Sequence, residues 1–107
     1  MKHEKFQTVE SELNWNAPMY KLFEKAKKNG TWNPSELDFS QDKIDFANMS
    51  PDEKITVSTL IGSFAAGEEA VTIDILPMVQ VMANQGRLED TMFLTTFMFD
   101  EAKHTEM

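Results

Sequence analysis

The chain has 107 residues, a formal net charge of −8 and no cysteine. A chain of this length forms one domain at most and buries only around two-thirds of its unfolded surface. The acidic balance argues against a nucleic-acid partner, whose phosphates call for clustered Lys and Arg. Without cysteine there are no disulfides, thiolate metal sites or cysteine nucleophiles, which fits a cytoplasmic location. No apolar run approaches the roughly 20 residues of a membrane span. Met1 to Lys5 include basic residues, but no apolar core of a secretory signal follows them.

Residues 1–15 show no period and are expected to form an extended or loosely ordered arm. His3, within it, reads as a free terminal residue rather than a ligand. Pro18 suits the first turn of a helix, where its missing N–H costs nothing. Tyr20, Leu22, Phe23 and Ala26 follow and Gly30 is a stop, so a helix is expected over 18–28. Lys25, Lys27 and Lys28 cluster at its end, where the helix dipole favours cations. The stretch 31–39, with Trp32, Asn33 and Pro34, reads as a loop. A short helix over 41–47 follows, with Ser40 as its cap.

The clearest signal begins at Ser50. Ser50, Pro51 and Glu53 form a capping box with proline at the first helical position. The apolar pattern runs to Asn84, and Gly86 lies just past the end. The 34 residues from Pro51 to Asn84 span about 50 Å at about 1.5 Å per residue. Pro77 lies inside and predicts a kink; two shorter helices broken at Leu76 are the rival reading. A last helix starts near Leu88 and meets no stop signal by Met107, so it is expected to continue beyond it. The whole reads as one all-α domain, 1–107, built on a long antiparallel helical hairpin.

Two features of this hairpin carry chemistry. Glu101 and His104 are three apart on the last helix, so both side chains can reach one point. A carboxylate and an imidazole suit iron, manganese or zinc. Leu94, Phe97 and Met98 flank them, and burying a carboxylate there without a partner would cost several kcal/mol. That spacing alone is also what a solvated helix face with a chance pair would show. The second feature is Glu68 and Glu69, in the middle of the most apolar helix. Glu68 shares its face with Ile61, Phe64, Ala65, Val71 and Ile75; Glu69 shares its own with Gly62, Ala65, Ala66, Ile73 and Leu76. No basic residue occurs between Lys54 and Arg87. Apolar helices seldom bury acids without a charge partner, and a metal ion would supply one. An exposed polar stripe is the other explanation.

The hairpin brings these features together. Glu68 lies 18 residues before Gly86 and Glu101 lies 15 after it, so both stand some 20–30 Å from the turn. A lone Glu facing a Glu–x–x–His motif is the half-site of carboxylate-bridged bundles. Asp100 is expected behind the ligands, accepting a hydrogen bond from one of them. Glu106 should point away, and Asp74 lies nearly two turns from Glu68.

Gly67-Glu68-Glu69-Ala70-Val71-Thr72-Ile73-Asp74-Ile75-Leu76-Pro77 and Asp100-Glu101-Ala102-Lys103-His104-Thr105-Glu106-Met107 resemble the ribonucleotide-reductase small-subunit superfamily, which is ferritin-like, and above all its ligand-binding oxidase branch. Phe6-Gln7-Thr8-Val9, Trp32-Asn33-Pro34, Asp38-Phe39-Ser40-Gln41 and Gln85-Gly86-Arg87-Leu88-Glu89-Asp90 resemble the same branch. The resemblance covers essentially the whole chain. It implies a four-helix core holding manganese and iron, or two irons. It implies that Glu68 ligates the first metal, that Glu101 bridges both and that His104 completes the first site; it, and not the helical wheel, selects Glu68 over Glu69. It implies that Val71 is the valine joined through an ether bond to a tyrosine when oxygen is activated. It further implies a bound long-chain fatty acid and a homodimer. The same resemblance calls for two more Glu, one more His and the cross-linking tyrosine from later helices. The one tyrosine here is Tyr20, on another helix, so this chain by itself is expected to be inactive.

Two rival readings stand beside the oxidase. One is a radical-generating small subunit of ribonucleotide reductase, which resemblance would mark by a tyrosine four residues after His104. The other is a metal-free helical piece that associates through its apolar face.

Overall fold

The computed structural model describes residues 4–107, so His3 lies outside the described residues. Five α-helices and one 3₁₀ turn follow in order, with no strand among the described residues: α1 (Gln7–Glu10), α2 (Pro18–Asn29), the turn Pro34–Glu36, α3 (Ser40–Asn48), α4 (Pro51–Asn84) and α5 (Leu88–Glu106). The all-α expectation holds.

Local chemistry accounts for the helix ends. At the start of α4 the Ser50 Oγ accepts from the Glu53 N–H, and the Glu53 carboxylate accepts the Ser50 N–H at 2.8 Å. This reciprocal box satisfies two donors that the first turn leaves orphaned. At the other end Gly86 takes φ 68°. Its N–H donates to the Ala83 carbonyl at 3.1 Å, and the Arg87 N–H donates to that of Met82 at 3.0 Å. That is the Schellman closure, which needs a left-handed residue just past the helix. The chain reverses there, and α5 runs back along α4.

The α4 helix is continuous through Pro77, so the two-helix alternative is set aside. The α3 helix begins one residue earlier than expected. Ser40 is its first residue rather than its cap, and the Asp38 carboxylate accepts the Ser40 N–H at 2.9 Å. Within the expected loop, Pro34–Glu36 form a 3₁₀ turn capped by the Asn33 side chain.

The N-terminal arm is the larger correction. Residues 7–10 make a helical turn. Glu89, buried at the start of α5, accepts the Asn14 N–H at 2.6 Å and the Gln7 side-chain amide at 2.8 Å. A deeply placed carboxylate seeks such donors, and here it ties the arm to the hairpin turn.

The molecule is elongated, 63 × 26 × 20 Å. Its buried apolar core is small, centred on Ile75 of α4 and Leu94 of α5, while Ile61, Phe64, Ile73 and Leu76 lie exposed along α4. No helix among the described residues is long and apolar enough to cross a membrane.

Candidate metal centre

Glu68 of α4 and Glu101 and His104 of α5 converge. One donor atom from each lies within 4.8 Å of the others. The His104 Nδ1 is 3.5 Å from a carboxylate oxygen of Glu68 and 3.5 Å from one of Glu101. Glu101 is the most enclosed, with its side chain 13% exposed, while Glu68 and His104 are partly open. The antiparallel hairpin puts the two acids at one height, and the three-residue spacing on α5 puts Glu101 and His104 on one face. Thr72 and Thr105, one turn and one residue away, share a hydroxyl hydrogen bond of 3.1 Å across the same helix pair.

The donor set fits a divalent transition metal. Two acids face one imidazole, and among the described residues no Lys or Arg is paired with either acid. Donor atoms held about 2.0–2.2 Å from one ion sit up to about 4.4 Å apart, so small side-chain rotations bring all three to a common point.

Other acids fall elsewhere. Glu69, Asp74 and Glu106 are exposed. Asp100 does not receive its hydrogen bonds from a ligand. Its Oδ1 accepts from the Trp32 Nε1 at 2.9 Å and lies 2.9 Å from the Lys103 Nζ. The Lys103 ammonium, then burial acting in opposition, then the Trp32 indole set its acidity, and the net effect lowers the carboxyl below its ordinary value. Val71, three residues after Glu68, is exposed on α4. Tyr20 lies on α2, where its hydroxyl donates to Glu24 at 3.0 Å.

Two residues at this site escaped the sequence reading. The Trp32 indole stacks on the His104 imidazole, with centroids 5.3 Å apart and planes 27° apart. Lys103 is 6% exposed, and its ammonium donates to the carbonyls of Gly30 and Trp32, each at 3.3 Å. The one signal available was the i,i+3 relation of Asp100 to Lys103, a common spacing.

Residues 11–107 match the family described as ribonucleotide reductase, small chain. Among solved structures, the chain is similar to an R2-like ligand-binding oxidase in its tyrosine-to-phenylalanine variant with an aerobically reconstituted Mn/Fe cofactor. Identity is 60% and the TM-score 0.97, over 99% of this chain and 39% of that one. An alanine-to-phenylalanine variant with an anaerobically reconstituted Mn/Fe cofactor matches at 60% identity and TM-score 0.97, over 100% of this chain and 37% of that one. A glycine-to-leucine variant with a non-activated Mn/Mn cofactor matches at 59% identity and TM-score 0.97, over 100% and 39%. The chain thus spans about two-fifths of the length of these structures. Its helices follow the ferritin-like fold of those proteins. The chain belongs to the ribonucleotide reductase small-chain family, and within it is similar to the R2-like ligand-binding oxidases.

Proposed function

We propose that Glu68, Glu101 and His104 are metal ligands, forming half of a dinuclear manganese–iron or di-iron centre in an oxygen-activating, ligand-binding oxidase. The observation that carries this reading is the convergence of two acids and one imidazole from two helices. The likeness to proteins that hold Mn/Fe cofactors supports it. When bound, the metal pair supplies the redox chemistry with molecular oxygen.

The chain's own residues have distinct tasks in this reading. Glu68 and Glu101 offset the charge of the cation. His104 offers its ring nitrogen Nδ1, which is turned toward both acids. Glu101, the more enclosed acid, would also help to hold the second metal. Val71 provides the carbon of an ether link to a tyrosine. Forming that link removes one hydrogen from the valine and one from the phenol, and oxygen accepts both. The described helices act as the N-terminal portion of a ferritin-like bundle. A long-chain fatty acid beside the metals, a homodimeric assembly and a cytoplasmic location complete the proposal.

Metal analysis of the full-length gene product by mass spectrometry tests it. Two transition-metal ions per chain are expected, and Glu68→Ala should remove the manganese. Protein purified without metal, or Glu68→Ala protein with undiminished manganese, would overturn the reading.

The family match also suits a radical-generating small subunit of ribonucleotide reductase. That reading calls for a tyrosine directly after Met107, four residues beyond His104. A different residue there in the gene rules against it.

A further inference from the structure

Two pairs of residues share the last turns of α5, offset by one position. Glu101 and His104 face Glu68. Asp100 and Lys103 instead hold Trp32, which arrives from the loop after α2. Trp32 is fastened three ways. Its Nε1–H donates to the Asp100 Oδ1 at 2.9 Å. Its own backbone carbonyl accepts from the Lys103 Nζ at 3.3 Å. The same ammonium lies 4.6 Å from the centroid of its ring. Lys103 in turn is fixed by Asp100, by the Gly30 carbonyl and by the Phe99 ring, whose centroid is 4.9 Å away. A buried ammonium with carboxylate, carbonyl and aromatic partners is a rigid anchor.

We propose that Trp32, pinned by Asp100 and Lys103, is a positioning residue that fixes the ring plane of His104 so that one imidazole edge faces Glu68 and Glu101. The proposal rests on the metal-site reading above. An imidazole near the end of a partly open helix can turn about its outer torsion, which is broad and roughly two-fold. The stacked indole, 5.3 Å away and 27° from parallel, removes that freedom of the plane. Stacking does not distinguish the two edges of the ring. The carboxylates make that choice, and Nδ1 is the atom found 3.5 Å from each. Metal-binding histidines are commonly oriented by a hydrogen bond to the second nitrogen. Here a ring face adds to the orientation, and it comes from a segment about seventy positions earlier in the chain.

The test uses the full-length gene product and manganese(II) alone, with affinity measured by competition against a fluorescent chelator. Trp32→Leu removes the ring, while Trp32→Phe keeps a stacking face and loses the indole N–H. Loss of a group that orients a ligand costs roughly 10- to 100-fold in metal affinity, so Trp32→Leu is expected in that range and Trp32→Phe within roughly threefold of the natural protein. Equal affinity for Trp32→Leu and the natural protein would overturn the proposal, as would an equal loss in both variants. If Trp32→Leu does not fold, fluorescence decides. Trp15 is the second of the chain's two tryptophans and packs against Tyr20. Trp15→Phe leaves Trp32 as the one tryptophan of residues 1–107. Subtracting the emission of Trp15→Phe/Trp32→Phe isolates the Trp32 signal in the full-length product, and paramagnetic cobalt(II) should quench that signal on binding; unchanged emission sinks the idea. His104→Ala separates the two layers. Metal that binds and needs His104 but ignores Trp32 defeats the positioning proposal alone. No manganese binding by the natural protein defeats the metal site and the positioning role together.

Discussion

Asn14 donates its backbone N–H to the Glu89 carboxylate at 2.6 Å, across 75 positions of sequence. Glu89 also accepts from the Gln7 side chain, so one buried acid holds the N-terminal arm at two points, Gln7 and Asn14, against the start of α5. Removing it leaves the Asn14 amide without its acceptor. Glu89→Ala is expected to release the arm without melting α4 or α5. Amide hydrogen exchange reads this directly, with Asn14 faster in the variant and the α4 amides unchanged. Equal exchange at Asn14 would show that the contact does not hold the arm.

The same contact predicts a pH response. The Asn14 amide is the main influence that pulls the Glu89 carboxyl below its ordinary value, with burial opposing and Gln7 assisting. A carboxylate whose folded pKa is depressed stabilises the fold above its unfolded pKa, about 4.3 for Glu, and loses that contribution as pH falls through the folded value. Arm release should therefore begin below about pH 4. Exchange-corrected protection of Asn14, followed from pH 6 downward, should fall only in that acid range. In Glu89→Gln the step should vanish.

Helix boundaries were readable because they are local. Ser50 and Glu53 are three residues apart, and Gly86 announces its turn by lacking a side chain. The meeting of Glu68 with Glu101 was readable because a hairpin of known rise puts equal spacings at equal heights. The choice between Glu68 and Glu69 was not, since both have apolar neighbours and only the partner helix decides which one it faces. In the structure Glu68 faces His104 and Glu69 is exposed. The role of Glu89 was hidden for another reason. An acid in a first helical turn is usually explained by the dipole, and its real partners arrive from a segment that carries no periodic signal. Trp32 and Lys103 were hidden likewise, because their contacts join a loop to a helix far along the chain.

Glu68 and Glu69 can be told apart in solution. Glu69→Ala should leave the manganese affinity of the full-length gene product within about threefold, whereas loss of a ligand should exceed the 10- to 100-fold cost of losing an outer partner. Competition titration of the two variants side by side checks it. Comparable losses would mean that α4 is rotated so that Glu69 also reaches the site.

Gly86 sets the height at which α5 returns along α4. At φ 68° it has open space around the position a Cβ would take, so the cost of a side chain is conformational rather than steric crowding. A left-handed conformation costs an L-residue roughly 1–2 kcal/mol. Gly86→Ala should therefore destabilise by about 1 kcal/mol, and Gly86→Asn by less, because Asn tolerates this region better. Denaturant midpoints for the three proteins give the order Gly, Asn, Ala. An alanine variant as stable as the natural protein would refute it.

Lys103 makes the last and sharpest prediction, because it is a buried cation with partners on two segments. Its ammonium satisfies the Gly30 and Trp32 carbonyls and stands 2.9 Å from Asp100. Lys103→Met preserves much of the side chain's shape and deletes all three interactions. Hydrogen bonds to charged groups contribute about 1.5–3 kcal/mol, and the abandoned acceptors add desolvation cost. Partial exposure of Asp100 lets water answer part of that loss. A destabilisation of about 2 kcal/mol is expected from denaturant unfolding. The Trp32 loop should loosen before the helices do, so exchange of the indole N–H bonded to Asp100 should accelerate more than exchange of the α5 amides. If the indole proton stays as protected as in the natural protein, Lys103 does not hold the loop.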